Sequence, residues 1–315
     1  MTLIALCVNL PLENSDWKAP SFGKKYPGAG WMKHLGPKFI PGKLALRYVE
    51  ALEWKPSDMI VVQEENNKEG QELIRLGADP RVNFCMESPI YASAFYDNTP
   101  QIFKHRLYFD GGSEHIFLPS FDDYDLAPLV PWGDRKFLCM VMANKHYSSL
   151  GNRFSHSPTF QMAMRSQLHD FRYGAIEYFT NHMKRDDFHL YGNGYLEDRS
   201  IGDKLSTIRD YKFSLCFENG AYPGYVTEKI IDCLVAGVMP IYMGAPDIGK
   251  YIPRTLFIDA SESSSFEDLK KRILEIDNLP LIYKFPIEAR EWLNSKDGRQ
   301  YNCKSFASKI TDLCA

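Results

Sequence analysis

The chain has 315 residues, 44% of them apolar and 24% charged, with a formal net charge of −3. That balance suits a globular protein long enough for two domains, and it gives no electrostatic case for nucleic acid or an anionic membrane surface. Its seven cysteines are scattered and never spaced as Cys-x-x-Cys, and several sit in apolar runs such as Phe137-Leu138-Cys139-Met140-Val141, which predicts buried thiols rather than disulfides or zinc ligands.

Residues 3–8 read as a first strand. The stretch before Pro11 has no basic region and no small-residue cleavage site, so it is not expected to be a signal peptide. No run approaches ~20 apolar residues, so no membrane span is expected. A cytoplasmic location follows as an expectation, with room for peripheral contact at the inner face of a membrane. Residues 14–42 form a long loop rich in Gly, Pro, Lys and aromatics; loops of that length inside a domain are usually functional or disordered. A helix is then predicted over 44–52, a strand over 59–62, a helix over 71–76 and a strand over 82–86. Strands separated by helices imply a parallel sheet covered on both faces.

A passage rich in Pro and Asp, 119–134, reads as a linker. After it the rhythm restarts with a strand over 137–142, a helix over 160–171 and a strand over 188–191. A strand over 213–217, a helix over 227–236 and a strand over 238–243 follow. The expected organisation is a first α/β domain over 1–132, a second over 133–290 and a helical segment, 291–315, that can cross back to the first half.

The chemistry concentrates in Tyr211-Lys-Phe-Ser-Leu-Cys-Phe-Glu-Asn-Gly220, then Tyr225-Val-Thr-Glu-Lys229. This is a strand, a turn and a helix with Thr227 as N-cap and Gly237 at its exit. A helix starting at the end of a parallel strand offers free N–H groups and the positive end of its dipole. A lysine in that first turn runs against the dipole, and a diphosphate would compensate both. Glu228 can accept hydrogen bonds from ribose hydroxyls, and Tyr225 can pack on the ribose. Residue chemistry leaves the alternative open that Glu228 and Lys229 are solvated first-turn residues.

The segment closely resembles the signature of the α1,3/α1,4-fucosyltransferases, glycosyltransferase family ten. There a Tyr-Lys-Phe strand leads to Phe-Glu-Asn and then to Tyr-(Val/Ile)-Thr-Glu-Lys. The likeness continues through Ala236-Gly-Val-Met-Pro-Ile-Tyr-Met-Gly-Ala-Pro246 to Phe257-Ile-Asp259. It implies a GT-B fold of two Rossmann-like domains facing a central cleft, and inverting transfer of L-fucose from GDP-fucose to a glycan hydroxyl. It also implies that Tyr225 and Glu228 hold the ribose, Lys229 the diphosphate, and that Asn219 shapes the donor pocket. Asn144, ending the strand of the second half, resembles the family's Ser/Ala-Asn strand end. Arg165 falls where the family places a phosphate-binding arginine; a guanidinium fork suits that task, although a surface helix arginine reads the same locally. Gly192 and Asn193, in Leu190-Tyr-Gly-Asn-Gly194, resemble the turn that receives the guanine. Gly220 stands where many relatives have Ser or Thr.

In the first half, Glu87-Ser88-Pro89 resembles the family's Glu-Ser-Pro motif. Inverting transfer needs a base for the acceptor hydroxyl proton, and Glu87 is the candidate; an exposed polar strand end is its plainer reading. The pairs Glu64-Glu65, Asp122-Asp123 and Asp186-Asp187 read as solvated turns. Asp123-Tyr124-Asp125 has metal-motif spacing but lies in the linker, so no essential metal or cofactor is expected beyond the donor. Two alternatives remain at this level. One is the same chemistry on another nucleotide sugar, and the other is a nucleotide-sugar-binding protein without catalysis. A two-domain binding protein of the periplasmic type is disfavoured by the absence of a recognisable signal peptide.

Overall fold

The computed structural model describes residues 2–10, 12, 29–98, 102–109, 112, 115–123, 126, 128–144, 156–194 and 203–315. The chain divides into two units, one of Met1–Ser120, Phe154–Met162 and Tyr301–Ala315, the other of Phe121–Arg153 and Ala163–Gln300.

The first unit holds a parallel sheet of β1 (Leu3–Cys7), β2 (Phe39–Pro41), β3 (Met59–Glu64), β4 (Asp79–Phe84) and β5 (His105–Leu107), in the order β2-β1-β3-β4-β5. Every residue of β1 is buried, as a central parallel strand covered on both faces requires. Helices α1 (Gly42–Glu50) and α2 (Lys68–Arg75) follow β2 and β3, and α3 (Ser93–Asn98) follows β4. The Asn67 side chain caps α2 by accepting from the Gly70 N–H at 3.1 Å. At Pro80, which has no N–H to give, the β3–β4 register slips by one residue. Strands β2 and β5 are three residues each, too short to betray themselves by alternation, and neither is predicted from the sequence. Of the long predicted loop, 14–28 lies outside the described residues, while 29–42 is ordered through β2.

The C-terminal helix Cys303–Leu313 belongs to this first unit. Its Phe306 meets Trp31 and Phe84 edge-on, with ring centroids 4.9 and 6.3 Å apart. The Ser120 N–H donates to the Tyr301 carbonyl at 2.8 Å.

The second unit repeats the plan. Its strands are β6 (Lys136–Val141), β7 (Phe188–Tyr191), β8 (Tyr211–Phe217), β9 (Met239–Met243) and β10 (Ile258–Asp259), all parallel in the order β10-β9-β8-β6-β7. Helix α4 (Pro158–Met164) belongs through Met162 to the first unit; the second unit's helices are α5 (His169–His182), α6 (Lys204–Ile208), α7 (Glu228–Ala236), α8 (Phe266–Asp277) and α9 (Phe285–Asn294). From Ile230 to Ala236 every residue of α7 is buried, so this helix lies inside its unit rather than on the surface. The predicted linker is ordered where described. Trp132 donates to Asp277 at 3.0 Å, and Arg135 donates to the carbonyls of Gly237 (2.5 Å) and Tyr211 (3.2 Å), placing its charge at the C-terminus of α7.

The helix expected over 160–171 is two helices. It breaks at 165–168 because that backbone is taken by a loop: the Leu168 N–H donates to the Asn219 carbonyl (2.9 Å) and the Ala221 N–H to the Ser166 carbonyl (2.7 Å). Tertiary hydrogen bonds outcompete local helical ones there. All seven cysteines are buried free thiols. Among the described residues no helix is long and apolar enough to cross a membrane.

Candidate functional site

In both sheets the chain reverses the side to which it adds strands, between β1 and β3 in the first unit and between β6 and β8 in the second. Such a reversal opens a crevice at the carboxyl ends of the two strands, where α/β proteins bind ligands. In the second unit a small pocket occupies that place, lined by Met140 and Val141 of β6 and by Ser214 to Phe217 of β8. Three cations also line it: Arg172 of α5, Lys204 of α6 and Lys229 of α7.

The loop from β8 to α7 organises these charges. Glu218, directly after β8, is fully buried. Its carboxylate accepts from the Thr227 N–H and the Thr227 hydroxyl, both at 2.8 Å, and lies 3.2 Å from the Lys229 ammonium. Thr227 is the N-cap of α7, its hydroxyl accepting from the Lys229 N–H at 3.4 Å. Lys229 therefore has Glu218, the Thr227 hydroxyl at 3.0 Å and Glu228 at 3.5 Å around its ammonium. Burial disfavours that charge, but Glu218 and Glu228 outweigh it and raise the lysine's proton affinity. Burial raises Glu218 in turn, against the pull of Lys229. For Glu228 burial also works upward, yet Lys229 and Lys204 overcome it and hold the carboxyl down at about 2. The pocket thus keeps carboxylates and cations side by side at the N-terminus of a helix, the positive end of its dipole, an arrangement fit for an anion carrying hydroxyl groups.

Asn219, Glu228 and Lys229 come together around this pocket. Arg165 does not join them: it is exposed in the turn that breaks the predicted helix. The arginine beside the loop is Arg172, buried, whose Nη1 donates to Asn219 Oδ1 at 2.6 Å. Sequence reading missed Arg172 because the predicted helix ends at 171, one residue short of it; its signal was its place, at helical spacing, on the face of His169, Ala175 and Phe179. Lys204 and Glu218 were missed too, although an acid ending the apolar run of β8 is itself a signal. Tyr225 is buried, its ring edge-on to Tyr222 at 5.7 Å. Gly220 has no room for a side chain, since an added Cβ would overlap the Tyr222 ring. Tyr222 in turn donates to the Ala163 carbonyl at 3.0 Å.

Asn144, Gly192 and Asn193 meet at the ends of β6 and β7. Asn144 donates from its backbone to the Asn193 carbonyl and from its side chain to the Gly194 carbonyl, both at 2.8 Å, and accepts from the Tyr173 hydroxyl at 2.8 Å. Gly192 has φ +136°, and a Cβ there would overlap the Met142 carbonyl, so only glycine fits.

In the first unit Glu87 is exposed after β4, its carbonyl accepting from the Tyr96 hydroxyl at 3.3 Å. Glu64 and Glu65, read as a solvated turn, are instead partly buried at the end of β3. The Asn9 N–H donates to Glu64 at 2.9 Å. Glu65 sits at φ +49°, held there by its N–H to the Phe84 carbonyl and by the Gln63 amide donating to its own carbonyl at 2.7 Å. Burial, then the charges of Glu64 and Glu87, push Glu65 up to about 7. Asp122 is buried rather than solvated, and Tyr124 and Asp125 of the candidate metal motif lie outside the described residues. Among the described residues no group of three metal-ligating side chains occurs.

Residues 160–315 match the model of "Glycosyltransferase family 10 (fucosyltransferase) C-term". The α-(1,3)-fucosyltransferase FucT of Helicobacter pylori is 31% identical over 115 residues, 35% of this chain and 23% of that protein. The 4-galactosyl-N-acetylglucosaminide 3-α-L-fucosyltransferase 9 of Homo sapiens is 29% identical over 113 residues, 35% of this chain and 32% of that one. The matched stretch thus spans about a quarter to a third of these relatives' length. A crystal structure of an α1,3-fucosyltransferase with GDP superposes with a TM-score of 0.53 at 15% identity, over 99% of this chain and 90% of that one. Staphylococcus aureus TarM, in a complex with UDP, gives 0.53 at 12% identity over 86% and 58%. Both likenesses are of fold, and with the two parallel α/β units they make the architecture GT-B. Residues 160–315 thus carry the C-terminal domain of glycosyltransferase family 10, the fucosyltransferases.

Proposed function

We propose that the protein is an inverting glycosyltransferase that moves L-fucose from GDP-fucose to a hydroxyl of a glycan acceptor in α linkage. The observation that carries this is the cation-lined pocket where β8 meets α7, whose three cations all lie in the segment that matches the family. In this reading Lys229 and Arg172 bind the diphosphate, Arg172 taking the part expected of Arg165. Glu228 accepts the ribose hydroxyls. Asn219 orients Arg172, Tyr225 packs on the ribose, and the turn of Gly192 and Asn193, braced by Asn144, receives the guanine. Glu87 in the first unit takes the proton of the acceptor hydroxyl as its oxygen forms the bond to the anomeric carbon. The bond from that carbon to the β-phosphate oxygen breaks, its electron pair leaving with GDP. Two cations and a helix terminus meet that negative charge, so no metal is required.

A second reading keeps the chemistry and changes the sugar. Gly220 and Tyr222 favour it, since the ring of Tyr222 fills the space that a Ser or Thr side chain would use in many relatives. One experiment addresses both. GDP should raise the melting temperature and UDP at equal concentration should not, and GDP-fucose with a panel of oligosaccharides should give a fucosylated product in EDTA. Equal shifts from the two nucleotides would remove the guanine pocket; transfer from another GDP-sugar alone would select the second reading.

A further inference from the structure

We propose that Lys204 is a positioning residue for ribose recognition: anchored on Asp232, its ammonium serves Glu228 one helical turn earlier and keeps that carboxylate set to receive hydroxyl groups. The inference rests on the reading above that Glu228 holds the ribose.

Glu228 and Asp232 are four residues apart on α7, so they share a face, where two like charges repel. The Lys204 ammonium lies 2.7 Å from Asp232 Oδ2 and lines the same pocket as Arg172 and Lys229. Its backbone is fixed by Asp203, whose carboxylate caps α6 by accepting from the N–H groups of Leu205 (3.1 Å) and Ser206 (3.5 Å). Glu228 has a nearer cation in Lys229, at 3.5 Å, but that ammonium also serves Glu218 and Thr227. A bound diphosphate would claim it further. Lys204 is then the cation left to Glu228, and it is not a phosphate ligand in this scheme. Two effects agree with the placement: Asp232 and Glu228 both raise the proton affinity of Lys204 against its burial, and Lys204 helps to hold Glu228 ionised. A carboxylate that stays ionised and fixed accepts two hydroxyl hydrogen bonds, whereas a protonated or displaced one does not.

The test compares GDP, 2′,3′-dideoxy-GDP and pyrophosphate by titration calorimetry. The unmodified protein should prefer GDP over the dideoxy nucleotide by about tenfold or more, and Glu228→Gln should abolish that preference. Lys204→Met should abolish most of it while changing pyrophosphate affinity by less than about twofold, and Lys204→Arg should keep it. Because Lys204→Met leaves Asp232 unpaired, Lys204→Met/Asp232→Asn supplies a charge-balanced fold with the same expected loss. If Glu228→Gln loses the preference but the folded double variant retains it, the role of Lys204 is overturned and that of Glu228 stands. If the unmodified protein has no preference, the ribose reading of Glu228 fails and this inference with it.

Discussion

The Lys229 ammonium stands 3.2 Å from a carboxylate oxygen of Glu218, a side chain with no exposed surface. Removing one partner of a buried ion pair strands the other, which costs about 3–5 kcal/mol, whereas removing both costs less. Lys229→Met should therefore destabilise the protein by about 3 kcal/mol or more in urea unfolding. Lys229→Met/Glu218→Gln should recover most of it, since glutamine keeps an acceptor for the Thr227 N–H. Equal stability of the two variants would mean that Lys229 does not neutralise Glu218.

Arg172 and Arg165 separate cleanly. Arg172→Gln should weaken GDP by about ten- to hundredfold, the worth of a charge-assisted contact, and guanosine far less. Arg165→Gln, altering an exposed turn residue, should shift GDP by less than about twofold. The reverse ranking in a calorimetric comparison would return the phosphate role to Arg165.

Glu87→Gln should lower turnover by about 10²–10⁴-fold and leave GDP affinity nearly unchanged. The side chain is exposed, so the melting temperature should hardly move, and a circular dichroism melt checks that. A folded variant that keeps more than about a tenth of its turnover would sink the assignment.

Glu65 gives a dependence on pH. Its carboxyl is raised to about 7 in the folded state from an ordinary 4.5, so the native protein holds a proton that the unfolded chain releases. That stabilisation is complete below about pH 4.5 and lost as pH rises through about 7. Glu65→Gln, permanently neutral, should match the parent near pH 4.5 and exceed it by about 1–3 kcal/mol at pH 8.5. Parallel stability curves for the two proteins across that range would contradict the burial of the carboxylate.

The two α/β halves were legible because parallel strands bury both faces and write themselves as apolar runs, as β1, β3 and β8 do. The cap at Thr227 and the exit at Gly237 were legible because local chemistry decides them. What failed to show were features made by distant partners. The break at 165–168 exists because the backbone of 219–221 claims it, and nothing within 160–171 announces that. The same break leaves Arg165 exposed in a turn, whereas Arg172, one residue past the predicted helix, is the arginine that meets Asn219. Glu65 looked like a solvated turn because the groups that hold and perturb it, the Phe84 carbonyl, the Cys85 thiol and Glu87, belong to the end of β4 and the residues after it and leave no mark in its own stretch of chain.

The helix Cys303–Leu313 has a consequence for the order in which the molecule can be made. Its Phe306 packs on Trp31 and Phe84, and its Lys309 donates to the His115 carbonyl at 3.1 Å, so the first unit borrows part of its core from residues synthesised after the whole second unit. On the ribosome the second unit has all its strands before the first unit is complete, and domains generally fold as their residues emerge. We predict that the unit begun first is finished only after the second. A chain ending at Gln300 should show it in limited proteolysis: fragments covering 163–300 should survive, while cuts accumulate between 29 and 120. Equal resistance of both regions would show that the first unit folds without its returning helix.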